Sequence, residues 1–297
     1  MLQFKKLNLE DKELFDGYLK PFNLKSCEYS FTTLFIWREA CSIEYAIYDD
    51  VLILKKKDFN GKSHFMQPIG YKNNQLKEIF ELLKEIKESV NMDYLFKDLE
   101  SEFVEDLREY CDVEVDKVAI EDKDNFDYIY PCSSLMSLSG KKLHGKKNHY
   151  NQFVKNYDYH IKDIREVAVE ECMNAANEWL SHRDDVDEYL KYEIKSTEEL
   201  LKNENKLEYE GIAVYVEDKI AGFTMGEKMN DEMAIIHIEK ANPEIRGLYA
   251  FINRSFVQQC FSDVDIINRE QDLGKEGLRK AKQSYKPFEF VKKYIVQ

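Results

Sequence analysis

Gly211-Ile212-Ala213-Val214-Tyr215-Val216-Glu217-Asp218-Lys219-Ile220-Ala221-Gly222-Phe223-Thr224-Met225-Gly226-Glu227-Lys228-Met229-Asn230-Asp231-Glu232-Met233-Ala234-Ile235-Ile236-His237-Ile238-Glu239 is broken by turn residues at Asp218-Lys219 and Asn230-Asp231 into three apolar runs. Runs of this length between such turns predict three antiparallel strands in a meander: Gly211 to Val216, Ile220 to Lys228 and Met233 to Glu239. Downstream, the pattern predicts a helix over Ile245 to Cys260, a strand over Val264 to Asn268, a helix over Lys275 to Tyr285 and a last strand over Phe288 to Ile295. The same order stands in the first half. Ser42 to Tyr48, Val51 to Lys57 and Ser63 to Gln67 read as a meander turning at Asp49-Asp50 and Asn60-Gly61. Leu76, Ile79, Phe80, Leu83 and Ile86 then recur at helical spacing behind a cap at Asn73 or Asn74. A strand over Asp93 to Lys97, a helix over roughly Leu99 to Tyr110 and an alternating strand over Val113 to Val118 complete the copy. The period is about 170 residues with negligible identity between the halves, so what repeats is architecture. The expected fold is α/β (α+β): two tandem domains, 1–130 and 131–297, each a mainly antiparallel mixed sheet flanked by helices.

Composition bounds the function. At 297 residues, 43% apolar content with 18 Phe and 19 Tyr suffices for two packed cores. No run approaches the ~18 consecutive apolar residues that cross a bilayer, and the start, Met1 to Lys6, lacks the apolar stretch of a signal peptide, so a cytoplasmic location is expected. The six cysteines lie far apart, with no CxxC pair and no HxH or HxxxH pair, which predicts free thiols, mostly buried, and no metal site. A net charge of −14 repels phosphate backbones and anionic lipid over most of the surface. An anionic partner therefore needs a local basic patch.

Three antiparallel strands, then helix, strand, helix and strand, is the order of the GNAT acyltransferase core. Ala281-Lys282-Gln283-Ser284-Tyr285-Lys286-Pro287-Phe288-Glu289-Phe290 resembles that superfamily's ending, an alanine, three residues, a tyrosine and a glycine-phenylalanine strand, with Pro287 in the place of glycine. Between the meanders, Ser139-Gly140-Lys141-Lys142-Leu143-His144-Gly145-Lys146-Lys147-Asn148-His149-Tyr150-Asn151-Gln152-Phe153 resembles the signature of the phosphatidylglycerol lysyltransferase C-terminal family. Gly222 to Glu227, His237 to Gly247 and Asn268 to Gly274 are similar to its free-standing, membrane-less members. The resemblance covers the chain from about Cys132 to the C-terminus, and the first half in architecture alone. It implies transfer of an aminoacyl group from aminoacyl-tRNA to an amine or hydroxyl acceptor, with tRNA as a partner and no permanently bound cofactor.

Strand alternation places His237 and Glu239 on one face of the third strand, opposite Ala234, Ile236 and Ile238. An amine or hydroxyl attacking an acyl carbonyl must lose a proton, which an imidazole or carboxylate on a rigid strand can accept. Glu227, closing the preceding strand, is expected to face the same cleft. Tyr285, at the GNAT tyrosine position, is a proton donor at neutral pH with an ordinary pKa near ~10. These four are the candidate catalytic residues. The same four also fit a polar sheet surface and a core tyrosine.

GNAT enzymes seat the pyrophosphate of coenzyme A at a helix N-terminus, which here carries Ile245-Arg246-Gly247. Their pattern has arginine or glutamine three residues before the glycine, and glycine or alanine two after it. This chain has Glu244 and Tyr249 there, an acid in place of a donor and bulk where backbone must approach phosphate, which favours another donor. Phosphates of RNA need positive charge. Lys141, Lys142, His144, Lys146, Lys147 and His149 form the one dense basic cluster, and Arg246, Arg254, Arg269 and Arg279 are arginines able to line a cleft. Lys and Arg are also common on solvated helix faces. The candidate donor-binding set is Arg246, Gly247, Arg254, Arg269, Lys146, Lys147 and Asn148, with Asn151 on the same helix face as Asn148. The first copy offers Gln67-Pro68-Ile69-Gly70-Tyr71 at the equivalent junction, with little charge, so the site is expected in the C-terminal copy. Three functions stay open: aminoacyl transfer, acyl-CoA-dependent N-acyl transfer, and ligand binding without catalysis. The negative charge argues for a soluble acceptor, and peripheral membrane contact also stays open.

Overall fold

The computed structural model describes residues 2–181 and 187–297. In chain order the first elements are β1 (Lys5–Lys6), α1 (Lys12–Leu19), α2 (Phe31–Trp37), β2 (Glu44–Tyr48), β3 (Val51–Lys57), β4 (Ser63–Phe65), α3 (Asn73–Val90), β5 (Phe96–Leu99), α4 (Ser101–Cys111), α5 (Val115–Val118) and β6 (Ala119–Glu121). Then follow β7 (Asp127–Pro131), α6 (Cys132–Ser137), α7 (His144–Asn156), β8 (Tyr159–Asp163), α8 (Val169–Ser181), α9 (Glu188–Lys202), β9 (Glu210–Val216), β10 (Lys219–Lys228), β11 (Met233–Ala241), α10 (Leu248–Cys260), β12 (Ile266–Asn268), α11 (Glu276–Gln283), β13 (Glu289–Val291) and β14 (Tyr294–Val296). They build two seven-stranded sheets, in the orders β1-β2-β3-β4-β5-β14-β6 and β13-β7-β12-β11-β10-β9-β8. One compact unit comprises the chain up to Asp127 together with Val291–Gln297; the other is Tyr128–Phe290.

Both meanders form where alternation and turn residues place them, and each ends in the same way. The third meander strand pairs parallel with the strand that follows its helix, β4 with β5 through Phe65 and Phe96, and β11 with β12. In the first unit, Leu76, Ile79, Phe80 and Leu83 of α3 pack on Val51, Ile53, Phe65 and Phe96. In the second, Phe251, Ile252 and Phe256 of α10 pack on Ala234, Ile236, Ile212 and Val214. The apolar stripe of each helix is what the sheet requires for burial.

Two expectations need correction. Val113 to Val118 is a coil and a short helix rather than a strand, and the last strand, expected over Phe288 to Ile295, is two strands in different sheets. The causes are connected. The place beside β5 is filled by β14, through Tyr294↔Leu99 and Val296↔Phe96, while its other edge pairs with β6 from Ala119 to Glu121. The chain changes sheets at Lys292-Lys293. Lys293 is fully buried, its ammonium 2.7 Å from Asp127 Oδ1 and 3.4 Å from Glu28 Oε1. A smaller difference lies at α3, whose N-cap is Lys72: its backbone amide donates to the Gln75 side chain at 2.8 Å, so Asn73 is the first helical residue.

Burial works against the charge of Lys293, and the carboxylates of Asp127 and Glu28 overcome it, holding its pKa well above the ordinary lysine value. Glu28 in turn pairs with Lys56 at 2.5 Å, and Lys56 with Asp98 at 2.8 Å. Removing one partner of such a network leaves an uncompensated buried charge, at a cost of about 3–5 kcal/mol. Lys293→Met is expected to lower the unfolding free energy measured in urea by that much, whereas Lys292→Met, at a half-exposed lysine paired with Glu121, leaves it unchanged.

Candidate active site

β11 and β12 pair over only Met233↔Ile266, Ala234↔Ile267 and Ile235↔Asn268. Beyond that β12 ends while β11 runs on to Ala241, so a wedge opens along one edge of β11. His237 and Glu239 extend from β11 past the split, and Arg269 and Glu270 follow the end of β12.

The expectation that His237 and Glu239 share a face is overturned by a β-bulge. Met225 pairs with Ile238 and Gly226 with Ile236, so His237 is skipped in the ladder. The backbone can crowd there because residue 226 has no side chain: a Cβ on Gly226 would lie 2.2 Å from the Ile235 carbonyl oxygen. A bulge shifts the alternation by one. Ala234, Ile236 and Glu239 therefore face α10, and His237 faces the other side with Glu227, whose cross-strand partner is Ile235. That other side is covered by α8 and α9: Phe223 meets Trp179 with ring centroids 6.0 Å apart, and Lys240, its cross-strand partner, pairs with Glu193.

On the α8/α9 side, the ring of His237 is clamped between two carboxylates. Its Nδ1 is 3.0 Å from Glu270 Oε1 and its Nε2 3.2 Å from Glu227 Oε1. Burial opposes the imidazolium, but both carboxylates favour it and raise the pKa to about 9. At neutral pH both nitrogens hold protons and donate. The ring is thus not poised to accept a proton, the role the sequence suggested; it ties β11 to the segment after β12.

On the α10 side, Glu239 Oε2 accepts from Asn253 Nδ2 at 2.9 Å and Oε1 from Arg269 Nη2 at 3.0 Å. The Arg269 guanidinium lies 4.7 Å from the Tyr285 ring centre and 5.8 Å from that of Tyr130. Lys146, turned inward from α7, places Nζ 4.1 Å from the same Tyr285 ring centre. Burial pushes the Tyr285 hydroxyl up, against the pull of Arg269, so it stays protonated. Burial and the neighbouring Arg269 charge push Lys146 down to about 8. Asn253 Oδ1 and Arg269 Nη1 are buried without a hydrogen-bond partner among the described residues. A buried polar atom left open in this way is a candidate ligand contact.

The segment carrying Arg269 and Glu270 is held from several directions. Asn268 Oδ1 accepts from the Glu270 amide at 2.7 Å, the Arg269 amide donates to Tyr128 O at 3.0 Å, and the Lys282 ammonium donates to the carbonyls of Arg269 and Glu270. Asp272 binds the Tyr128 hydroxyl at 2.5 Å, Arg279 at 2.8 Å and the Gly274 amide at 2.8 Å.

Of the other candidates, Arg254 donates to Met136 O at 2.7 Å and lies 4.3 Å from the Tyr150 ring centre, joining α10 to α6 away from the wedge. Gly247, with φ +89°, is needed for close approach to α7: a Cβ there would lie 2.2 Å from the His149 carbonyl oxygen. The Tyr249 hydroxyl reaches back to Ala241 O at 3.2 Å, over the turn where the GNAT pattern implies a pyrophosphate. Arg246, Lys147 and Asn148 are exposed, as are Lys141, Lys142, His144, His149 and Asn151. Asn253, Glu270, Lys282 and Asp272 escaped the sequence reading. Glu270 and Asp272 lie in the family-like run Asn268 to Gly274 and Lys282 in the stretch Ala281 to Phe290, without being singled out, and Asn253 stands as an asparagine among Leu248, Phe251, Ile252 and Phe256 on the buried face of α10.

The family described as phosphatidylglycerol lysyltransferase, C-terminal, matches residues 20–297. The chain belongs to this family. A solved structure of a conserved protein of unknown function from Bacteroides thetaiotaomicron VPI-5482 is 31% identical, with a TM-score of 0.88 and all of both chains covered. The C-terminal domain of a putative lysylphosphatidylglycerol synthetase from Agrobacterium fabrum is 12% identical, with a TM-score of 0.67 over 97% of this chain and 91% of that one. A tandem GNAT protein from the clavulanic acid biosynthesis pathway is 9% identical, with a TM-score of 0.55 over 100% of this chain and 98% of that one. Family and fold are thus those of an acyl or aminoacyl transferase of the phosphatidylglycerol lysyltransferase C-terminal type, built as two GNAT-like copies. Among the described residues, no helix is long and apolar enough to cross a membrane.

The clamp on His237 sets a pH dependence. Its folded pKa of about 9 lies above the ordinary histidine value of 6.5, so its stabilising contribution is complete below pH ~6.5 and disappears as pH rises through ~9. The stability gap between the wild type and His237→Gln, measured by urea unfolding, is expected to be ~3 kcal/mol at pH 6 and to shrink steadily toward pH 10. A gap that does not change with pH would show that the ring is neutral.

Proposed function

We propose that this protein transfers an aminoacyl group from aminoacyl-tRNA to an amine or hydroxyl acceptor, with the reacting ester in the wedge beside Glu239, Arg269 and Tyr285. The observation that carries the proposal is the open pair of buried atoms there, Arg269 Nη1 and Asn253 Oδ1. Arg269 Nη1 donates to the ester carbonyl oxygen as negative charge develops on it, and a fixed donor in a buried site stabilises that charge without reorganising. Glu239, gripped by Asn253 and Arg269, holds the guanidinium in place. Tyr285 presents a protonated hydroxyl beside it.

Two features favour a tRNA donor over coenzyme A. The Tyr249 ring and the Glu244 carboxylate stand at the turn where a pyrophosphate needs bare backbone and donors. The exposed Lys141 and Lys142 just before α7, and His144, Lys147 and His149 on it, give a chain of net charge −14 a basic surface around the helix that also carries Lys146. The family points the same way, since phosphatidylglycerol lysyltransferases use this donor.

Thermal unfolding with bulk aminoacyl-tRNA, uncharged tRNA or coenzyme A, at two salt concentrations, tests the donor. A ligand at a hundred times its dissociation constant stabilises the native state by about 2.7 kcal/mol, a shift of several degrees. The expected result is a salt-sensitive shift with charged tRNA and none with coenzyme A; a shift with coenzyme A alone would overturn the proposal in favour of acyl-CoA chemistry. For the wedge, Arg269→Lys keeps the charge and loses the planar fork, and is expected to lower turnover of aminoacyl-tRNA by about 100-fold or more.

A further inference from the structure

We propose that Lys146 is the proton acceptor for the attacking nucleophile, working beside Arg269, which holds the carbonyl oxygen; this rests on the transfer reaction proposed above. In the step, the nucleophile's nitrogen or oxygen forms a bond to the ester carbonyl carbon and its proton passes to Lys146 Nζ. The carbonyl electron pair moves onto oxygen against Arg269 Nη1. It returns as the bond to the ribose oxygen breaks, and the Lys146 ammonium delivers its proton to that leaving oxygen. The lysine ends as it began, and nothing is oxidised or reduced.

The other groups of the wedge are engaged or unsuited. His237 presents two N–H groups to Glu227 and Glu270. Each oxygen of Glu239 already accepts a hydrogen bond, from Asn253 and from Arg269. Tyr285 holds its proton. Lys146 differs from all three, because its Nζ makes no hydrogen bond or ion pair among the described residues and lies half-buried over the Tyr285 ring.

The charged and titratable groups facing it come from three elements: Arg269 after β12, Glu239 on β11 and Tyr285 after α11. Two cations thus share one aromatic ring, and the nearest carboxylate is committed to one of them. A second ammonium in that position is disfavoured by burial and by the Arg269 charge. Both amine and ammonium forms are therefore populated near neutral pH, as a group that takes and then returns a proton requires.

The test follows lysine side-chain NMR signals of isotope-labelled protein from pH 6 to 11, with and without millimolar inorganic phosphate. It is paired with pH profiles for consumption of bulk aminoacyl-tRNA, water serving as the acceptor. One lysine signal is expected to titrate near 8, to vanish in Lys146→Met, and to keep its midpoint in phosphate. Lys146→Met and Lys146→Arg are expected to lower kcat by about 100-fold or more with little change in KM, and to lose the rise of rate with pH that the wild type shows up to about 8. A Lys146 midpoint near the ordinary ~10.4 overturns the assignment whatever the donor. So does a midpoint driven there by phosphate, which would make Lys146 an anion-binding group, or a Lys146→Met variant that retains the pH limb. A wild type inert toward aminoacyl-tRNA, with the lysine still titrating near 8, removes the donor proposed above and leaves the lysine assignment standing.

Discussion

The skipped residue in the β10–β11 ladder is the constraint on which the site depends. Without the bulge at His237, strand alternation would send His237 and Glu239 to one side, and the side facing α10 would receive Ile238 in place of a carboxylate. With it, β11 sends an imidazolium one way and a carboxylate the other. Each is met by a consecutive residue of the segment after β12, Glu270 for His237 and Arg269 for Glu239. Two ion pairs on opposite faces thereby tie β11 to the segment after β12 where no backbone ladder joins the strands. Gly226 makes this possible, since a side chain there would collide with the bulged backbone.

The two copies use the same parallel pairing differently. In the first unit, the region past Phe65 and Phe96 is filled by the protein itself. The Tyr29 hydroxyl donates to Asp98 O at 2.7 Å, and the Gln67 side chain accepts from the Glu100 amide at 3.0 Å. Glu100 accepts from the Lys25 and Ser26 amides at 2.8 and 2.6 Å, although burial lifts its pKa to about 7. Tyr29, Gln67 and Glu100 are thus satisfied internally in the first copy, whereas Asn253 and Arg269 of the second each keep one open atom. Its buried charges, Lys56, Asp98, Asp127 and Lys293, likewise find partners within the unit.

Much of this was legible in the sequence because it rests on period. The meanders follow from apolar alternation between Asp, Asn and Gly turns, and α3 and α10 from stripes at helical spacing. Glu239, Arg269, Tyr285 and Lys146 were also picked out, as chemistry-bearing residues in segments resembling a known family. What sequence could not give is whatever breaks period. A bulge leaves no mark beyond a glycine in the opposite strand, so His237 and Glu239 read as neighbours when they are not. Lys292-Lys293 fall inside the single strand expected over Phe288 to Ile295, whereas Lys293 is buried and the chain changes sheets there. Arg254 reads as well for a cleft as Arg269 does; only the carbonyl of Met136 distinguishes them. Glu270 and Lys282 act through a loop whose path a pattern of residue types does not encode.

The placement of β14 bears on how the chain is made. Between β5 and β6 the first sheet has an empty place until Tyr294–Val296 are available to fill it, and Asp127 lacks its ammonium partner until Lys293 is. Domains usually acquire their structure in the order of synthesis, the N-terminal one first. Here the first copy waits on residues made only after the whole of the second unit, and its closing contacts with β5 join positions nearly 200 residues apart, a separation that slows folding. The copy that carries the wedge is therefore translated in full while the other is still missing a strand, and during that interval the unpaired edges of β5 and β6 are what a nascent-chain chaperone would meet.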